Sequence, residues 1–365
     1  MTLRTRGYAA TGPTSRLAPF EFERREPGER DVLIDILFCG VCHSDIHQAR
    51  DEWGGAIFPM VPGHEIVGRV VQAGSAATAW HQGDLVGVGV YVDACRECDS
   101  CRAGDSHYCE RGMSPTYNGL EQDGATPTYG GYSERITVDK DFVLRMPAGL
   151  AADAAAPLLC AGITTYSPIR HFGAGEGTRA AVVGLGGLGH MGVKFLAALG
   201  SEVTVLSHSP DKRDDALALG ADDFVVTADR ASLKACNRRF DFILDTVSAA
   251  HDYNSYLRML RRDGTMTLVG LPPSAPIDPA LLVNLRRRLA GSMIGSIRET
   301  QEMLDFCGER GIVSDVEVIA MGGINEAFER TLQSDVRYRF VIDMASLRGD
   351  EAAAVAAGTD AQKAP

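Results

Sequence analysis

The chain lacks any apolar run approaching the ~20 consecutive residues that a membrane-spanning helix requires. The N-terminal stretch MTLRTRGYAATGPTSRLAPF also lacks the continuous apolar core of an export signal. Together these absences lead us to expect a cytoplasmic protein. Positive charge is scarce too: 36 Lys and Arg face 48 Asp and Glu, a formal net charge of -12. Nucleic acids and anionic membranes reward the opposite balance, so neither is expected as a partner, and small-molecule chemistry fits better. Nine cysteines cannot all pair. In a reducing compartment, clustered cysteines are more often metal ligands or catalytic thiols than disulfides.

What is present is enough for two domains: 365 residues, 45% hydrophobic and 23% charged. Between about residues 31 and 145, short apolar runs broken by glycine (DVLIDILFCG, HEIVGRVVQAG, DLVGVGVYV) predict the strands of a β-rich, barrel-like region. From about residue 180 the rhythm changes. AAVVG reads as a buried strand, GLGHMGVKFLAALG as an amphipathic helix, EVTVL as a strand and DKRDDALALG as a helix, with DFVV, FDFILDT and GTMTLVG as further strands. Such alternation predicts a parallel, doubly wound sheet, and hence an α/β fold class for this half. After residue 296, IRETQEMLDFCGERG predicts a helix, and RYRFVID a strand that rejoins the first domain. The expected boundaries are 1–155, 156–295 and 296–345, with 346–365 a frayed Ala-rich tail.

Gly184, Leu185, Gly186, Gly187, Leu188 and Gly189 follow the strand AAVV and open a helix, the context a GxGxxG dinucleotide turn needs. Gly184 would permit the tight turn, Gly186 the close approach of backbone to a pyrophosphate, and Gly189 the packing of helix on strand. About twenty residues further on, an NAD-binding fold carries an acid for the ribose 2′-hydroxyl. Here the second strand ends instead in Ser207, His208 and Ser209, followed by Lys212. Hydroxyls and a lysine can donate to a 2′-phosphate that an acid would repel, so NADP(H) is expected over NAD.

Two metal constellations stand out. Cys95, Cys98, Cys101 and Cys109 follow C-x2-C-x2-C-x7-C, four thiolates within a loop of about 93–112 that Gly104 can bend. Four such ligands close a zinc tetrahedron and leave no open position, a structural site; they also suit an iron–sulfur cluster, and spacing does not separate the two. Cys42 and His64 lie 22 residues apart, and Cys160 sits in LLCAGITTYSP. Two thiolates and one imidazole leave room for a substrate, an arrangement found in alcohol dehydrogenase.

The ordered series GVCHSDIHQ, PMVPGHEIVGRV, TYGGYSE, CAGITTYSP and GLGGLGHMGVKFLAALG, spread over residues 30 to 345, resembles the zinc-dependent medium-chain alcohol dehydrogenases, in particular the cinnamyl alcohol dehydrogenase branch. The resemblance implies a GroES-like catalytic domain with an inserted Rossmann domain and an active site in the cleft between them. Two zinc ions per chain follow from it, one catalytic on Cys42, His64 and Cys160 and one structural on the four-cysteine loop. It also implies NADP(H)-dependent interconversion of primary alcohols and aldehydes, and a homodimer. Within that picture Glu65 is the glutamate that approaches the metal, and Asp45 orients His64. Ser44 starts a proton relay ending at His47. His43, Thr164, Val269, Gly270 and Arg339 join the cofactor site, with Arg337 an equal alternative to Arg339 for a phosphate contact, and Trp53, Met60 and Tyr117 fall where relatives line the substrate pocket. Cys39, Cys236 and Cys307 are left as packing residues. A reductase of conjugated C=C or iminium bonds and a non-enzymatic NADP-binding redox sensor are the competing readings. The intact Cys42, His64, Cys160 and Ser44 set favours carbonyl chemistry over both. A polyol dehydrogenase is disfavoured by the absence of a carboxylate third ligand and of the NAD-type acid.

Overall fold

A computed structural model describes residues 2–272 and 274–347. The chain divides into two compact units, Met1–Cys160 with the return from Ser296, and Ala161–Gly295. The first division falls after Cys160 rather than at 155/156, because the 3-10 turn Ala156–Leu159 packs in the first unit, where the space a Cβ on Gly87 would need is taken by Leu159. The expected tail lies, from residue 348 on, outside the described residues.

The first unit is built on a seven-stranded sheet. Its main path runs Leu144–Arg145, Leu85–Val88, Ile66–Ala73, Asp31–Gly40, Arg339–Asp343 and Val316–Ala320, and Arg135–Asp139 also pairs with Asp31–Gly40. The long strand Asp31–Gly40 organises it. Val32, Leu33, Ile34, Ile36 and Cys39 are buried, so apolar side chains pack on both faces of the strand. It pairs antiparallel with Ile66–Ala73, with Cys39 opposite Ile66, and antiparallel with Arg339–Asp343, with Gly40 opposite Val341. Three segments distant in sequence therefore end side by side. The helix Ile297–Arg310 is specified locally: Ser296 and Glu299 form a capping box, and Gly311 closes the helix at φ +66°.

The second unit is a six-stranded, wholly parallel sheet in the order Asp223–Val226, Glu202–Ser207, Arg179–Val183, Phe240–Asp245, Leu260–Leu268, Arg288–Gly291. The order reverses at Arg179–Val183, and in such sheets ligands bind beyond the strand ends at the reversal point. The glycine-rich turn begins there. The helix expected at DKRDDALALG is shorter than its sequence pattern: Pro210–Lys212 is a 3-10 turn and the α-helix runs Arg213–Ala218.

Candidate active site

Strand pairing explains how Cys42 and His64 meet. Gly40 donates its N–H to the Glu65 carbonyl at 2.9 Å, so residues 41–42 leaving one strand lie beside residues 64–65 entering the next. On the other side Val41 donates to the Phe340 carbonyl at 2.9 Å, which brings Arg339 to the same place. Cys160 arrives from the 3-10 turn. Ligand atoms of Cys42, His64, Glu65 and Cys160, all buried, lie within 4.8 Å of one another. The Cys42 and Cys160 sulfurs are 3.9 Å apart, and His64 Nε2 is 3.3 Å from Cys160 Sγ.

Asp45 holds this cluster in place. Its carboxylate accepts from the Cys42 N–H (2.9 Å), the Gly63 N–H (3.1 Å), His64 Nδ1 (3.1 Å) and the Tyr132 hydroxyl (3.1 Å). With Nδ1 donating to a carboxylate, Nε2 keeps its lone pair for a metal, the arrangement that orients metal-bound imidazoles. The backbone admits it only because residue 63 is glycine: φ is +104°, and a Cβ would sit 2.7 Å from Tyr132 Cδ1 and 2.8 Å from Cys39 Sγ. Arg24 secures the loop that carries Tyr132, donating from Nη2 to the carbonyls of Tyr129 (2.7 Å) and Gly130 (3.0 Å) and to Ser133 Oγ (3.0 Å).

Glu65 is fully buried. Its Oε1 accepts from Arg339 Nη1 at 3.1 Å, and its Oε2 has no hydrogen-bond partner among the described residues. Burial pushes its carboxyl up to about 8 against the opposing pull of Arg339. Burial also opposes charge on the His64 ring, yet Asp45 holds its pKa well above the ordinary value. The neighbouring Cys160 thiol is the main cause that depresses the Cys42 pKa, with Arg339 adding to it, whereas Cys160 is raised. Two soft thiols, one oriented imidazole and an orphaned carboxylate oxygen make a donor set that fits zinc.

The four-cysteine loop fits a metal differently. All four sulfurs lie within 4.8 Å of one another. Backbone amides point at them: Glu97 and Cys98 donate to Cys95 Sγ (both 3.4 Å), Cys101 and Glu110 to Cys98 Sγ (both 3.5 Å), and Cys95 to Cys109 Sγ (3.5 Å). The amides of Glu97 and Cys98 bring Cys95 down to about 6. Such amide–sulfur bonds favour thiolates, and four thiolates fill a tetrahedron.

In the second unit the glycines of the turn have separable reasons. Gly184 has φ +87°, a Cβ on Gly189 would lie 2.1 Å from the Gly184 carbonyl oxygen, and a Cβ on Gly186 would meet nothing within 4 Å. The first two are required by the fold; the open face at Gly186 is a cradle that fits a pyrophosphate. Lys212 Nζ reaches back to the Leu185 carbonyl at 2.9 Å, tying Lys212 to the turn. Ser207 is buried and its Oγ accepts from the Ser209 N–H at 3.3 Å, while His208 is exposed. Val269 and Gly270 follow the strand Leu260–Leu268, both donating to the Asp245 carbonyl (3.0 and 3.4 Å). Thr164 is buried on the helix Ala161–His171.

Other expected site residues sit less simply. Ser44 Oγ is 3.6 Å from Cys42 Sγ, and His47 Nδ1 is paired with Glu52, a partner the sequence reading did not include. His43 is exposed, its ring 6.2 Å from that of His47. Arg339 is buried, its Nη1 donating to Glu65 Oε1 (3.1 Å) and to the Val41 carbonyl (3.2 Å), a link to the metal-side cluster that the sequence reading did not include. Of the three pocket candidates, Tyr117 lies with its ring 5.7 Å from His64 and its buried hydroxyl unpartnered among the described residues. Trp53 is 48% exposed and stacks on His47, and Met60 is buried, exchanging backbone hydrogen bonds with Ala10. Tyr132 was missed, although it stands in the quoted TYGGYSE. The signal for Arg339 was a charge inside the apolar run RYRFVID, which calls for a buried counter-ion.

Comparison with known proteins places these sites in a family. The family profile described as "Alcohol dehydrogenase GroES-like domain" matches residues 28–148, and that described as "Zinc-binding dehydrogenase" matches 187–309. The NADP-dependent alcohol dehydrogenase C of Mycobacterium tuberculosis is 54% identical over 341 residues, covering 93% of this chain and 98% of that protein. The aldehyde reductase YahK of Escherichia coli is 52% identical over 344 residues, 93% and 97% of the two chains. Among solved structures, the cinnamyl alcohol dehydrogenase SbCAD4 of Sorghum bicolor matches with a TM-score of 0.91 and 47% identity over 94% of this chain and 98% of that one. CAD from Helicobacter pylori, complexed with NADP(H), matches at 0.89 and 38% over 94% and 99%. The chain therefore belongs to the zinc-dependent medium-chain alcohol dehydrogenases, in the branch that includes the cinnamyl alcohol dehydrogenases.

Proposed function

We propose that this protein is a zinc-dependent, NADP(H)-linked oxidoreductase that interconverts primary alcohols and aldehydes by direct hydride transfer. The observation that carries the reading is the buried Cys42, His64 and Cys160 set, with Asp45 fixing the imidazole and a hydroxyl, Ser44 Oγ, beside the first ligand. Zinc held by those three residues would supply Lewis acidity toward a carbonyl oxygen, and NADPH held on the turn 184–189 would supply the hydride. The second zinc belongs to Cys95, Cys98, Cys101 and Cys109.

The chain's own groups do the rest. A hydride added to the carbonyl carbon would leave a charge on the oxygen that a proton must neutralise, and Ser44 Oγ, 3.6 Å from Cys42 Sγ, is the hydroxyl we assign to deliver it. His47, paired with Glu52 and partly exposed, exchanges that proton with solvent. Asp45 keeps His64 in one tautomer throughout, and Arg339 offsets the charge of Glu65 beside the two thiols. Ser207, Ser209 and Lys212 select the 2′-phosphate. Tyr117, against the His64 ring, lines the substrate side.

The functional molecule is a homodimer in this reading. The outermost strand, Arg288–Gly291, has one edge unpaired among the described residues, and Val283 and Met293 flank it in sequence with 77% and 43% of their surface exposed. No described helix is long and apolar enough to cross a membrane. Six of the nine cysteines enter the two metal sets, which suits the reducing cytoplasm. The test is NADPH and NADH consumption by zinc-loaded protein across aliphatic, allylic and aromatic aldehydes. Oxidation of NADPH with at least one class is expected. If no aldehyde is reduced the enzyme reading is wrong, and if NADH matches NADPH throughout, the roles of Ser207, Ser209 and Lys212 are wrong.

A further inference from the structure

The cofactor unit contains a carboxylate–imidazole pair, a buried Asp245 and a half-buried His251, that the reaction above does not use. Asp245, 1% exposed, ends the strand Phe240–Asp245 beside the strand that leads into the glycine turn. Its Oδ2 lies 2.7 Å from His251 Nε2, and its Oδ1 accepts from the Val247 N–H at 3.1 Å. The other ring nitrogen, His251 Nδ1, lies 2.8 Å from the Ala249 carbonyl oxygen. A peptide carbonyl only accepts, and so does a carboxylate. An imidazole placed between them must donate at both nitrogens, so the pair holds one proton more than a neutral ring and a free carboxylate would.

The segment that this proton closes touches the dinucleotide turn. Thr246 Oγ1 donates to the Val183 carbonyl at 2.8 Å, and Val247 Cγ2 would be 2.8 Å from a Cβ on Gly184. The Val247 carbonyl oxygen stands 2.6 Å from where a Cβ on Gly270 would lie. The loop between Asp245 and His251 is thus packed on two of the cofactor-site glycines, with little slack.

We propose that His251 is a positioning residue for the dinucleotide: with its added proton it clamps the loop Thr246–His251 back onto Asp245 and thereby sets the shape of the turn that receives NADPH. The inference rests on the dinucleotide-site reading given above. The titratable groups facing His251 are Asp245, Asp252 and the rings of Tyr253 (4.8 Å) and Tyr256 (5.6 Å). Burial raises both tyrosines above their ordinary range, so they stay neutral while His251 titrates. The hydrogen bond to Asp245 raises the His251 pKa, with burial opposing and the Ala249 carbonyl and Asp252 assisting. A raised value means that the clamp is complete below the ordinary histidine pKa of about 6.5 and opens as pH rises through the folded one.

The experiment is a titration of zinc-loaded protein with NADPH and, separately, NADH from pH 7 to 9.5, read by cofactor fluorescence. This window lies above the 2′-phosphate ionisation at about 6. Loss of one buried hydrogen bond corresponds to about a three- to tenfold weaker Kd, and the step should appear with both cofactors because it acts on the turn they share. His251→Gln should bind weakly and evenly across the range. His251→Arg, a permanent cation with several N–H donors, should bind tightly and evenly, which a merely space-filling role of His251 would not produce. In parallel, imidazole nitrogen chemical shifts of the labelled wild-type protein, with the His251 signal assigned by its absence from the Arg variant, should show both nitrogens protonated at pH 7. A flat wild-type profile, a step that survives in His251→Gln, or a neutral His251 at pH 7 overturns the inference. Wild-type protein that binds neither cofactor overturns instead the dinucleotide reading on which it rests.

Discussion

Arg339→Met is the substitution whose consequence can be worked furthest from the structure. The guanidinium lies 3.1 Å from Glu65 Oε1 and 3.2 Å from the Val41 carbonyl, both partners buried. Burial pushes the Glu65 carboxyl up to about 8, so the pair is fully ionised only above that pH; there, at an effective dielectric constant of about 20, unit charges at that separation attract by about 5 kcal/mol. Removing one member of a buried pair strands the other, and such losses run at about 3–5 kcal/mol. For a unit of this size, that lowers the melting temperature by roughly 6–20 °C. Glu65 stands beside two thiols, so the loss should be larger after chelation than in the zinc-loaded protein, where bound metal offsets the surplus negative charge. The assay is scanning calorimetry, at a pH above the Glu65 value of about 8, on wild type, Arg339→Met and the double variant Glu65→Gln/Arg339→Met, each with and without a chelator. The double variant should recover most of the lost stability, because the carboxylate no longer needs a counter-ion. If Arg339→Met costs less than about 1 kcal/mol, or if the double variant is no more stable than the single one, the charge-compensation argument fails.

Three further outcomes follow from the same geometry. Cys101→Ser should lower stability or assembly first and activity only as a consequence, because four thiolates would leave a bound zinc no open position; a variant as stable as wild type but inactive would show that the two metal roles have been exchanged. Tyr132→Phe removes one donor from Asp45 while keeping the ring that packs at Gly63, and should weaken zinc retention at the Cys42, His64 and Cys160 site by about tenfold in a chelator competition, leaving the second zinc in place. Equal retention would mean that the remaining donors to Asp45 suffice. Lys212→Ala should weaken NADPH binding by about tenfold and NADH by much less, since a charge-assisted bond to the 2′-phosphate is available to only one of them; equal losses would assign Lys212 to the Leu185 carbonyl alone.

What could be read in advance divides along physical lines. Gly184 and Gly189 are legible because their constraints are local: a positive φ at one, and at the other a carbonyl so close that an added Cβ would lie 2.1 Å from its oxygen. The four-cysteine loop is legible for the same reason, its ligands lying within one turn-rich segment. The helix Ile297–Arg310 carries its own start and stop signals at Ser296 and Gly311. By contrast, the loss of the first turn of the DKRDDALALG helix to a 3-10 segment follows Pro210, whose effect on the next residues the apolar pattern does not express.

By itself, then, the sequence determined the two-unit α/β plan, the glycine turn, the absence of an acid at the 2′-phosphate position and the identity of every candidate metal ligand, because each is written in neighbouring residues or in residue chemistry. Only the tertiary structure decided which charges meet. Arg339 reaches Glu65 because Gly40 pairs with Val341 on one side while Cys39 pairs with Ile66 on the other. Tyr132 reaches Asp45 across 87 residues, and His251 finds two acceptors only when its loop folds back onto the strand end. A side chain's type states what it can donate or accept; strand register and loop closure select the partner, and neither is a property of the residues read singly.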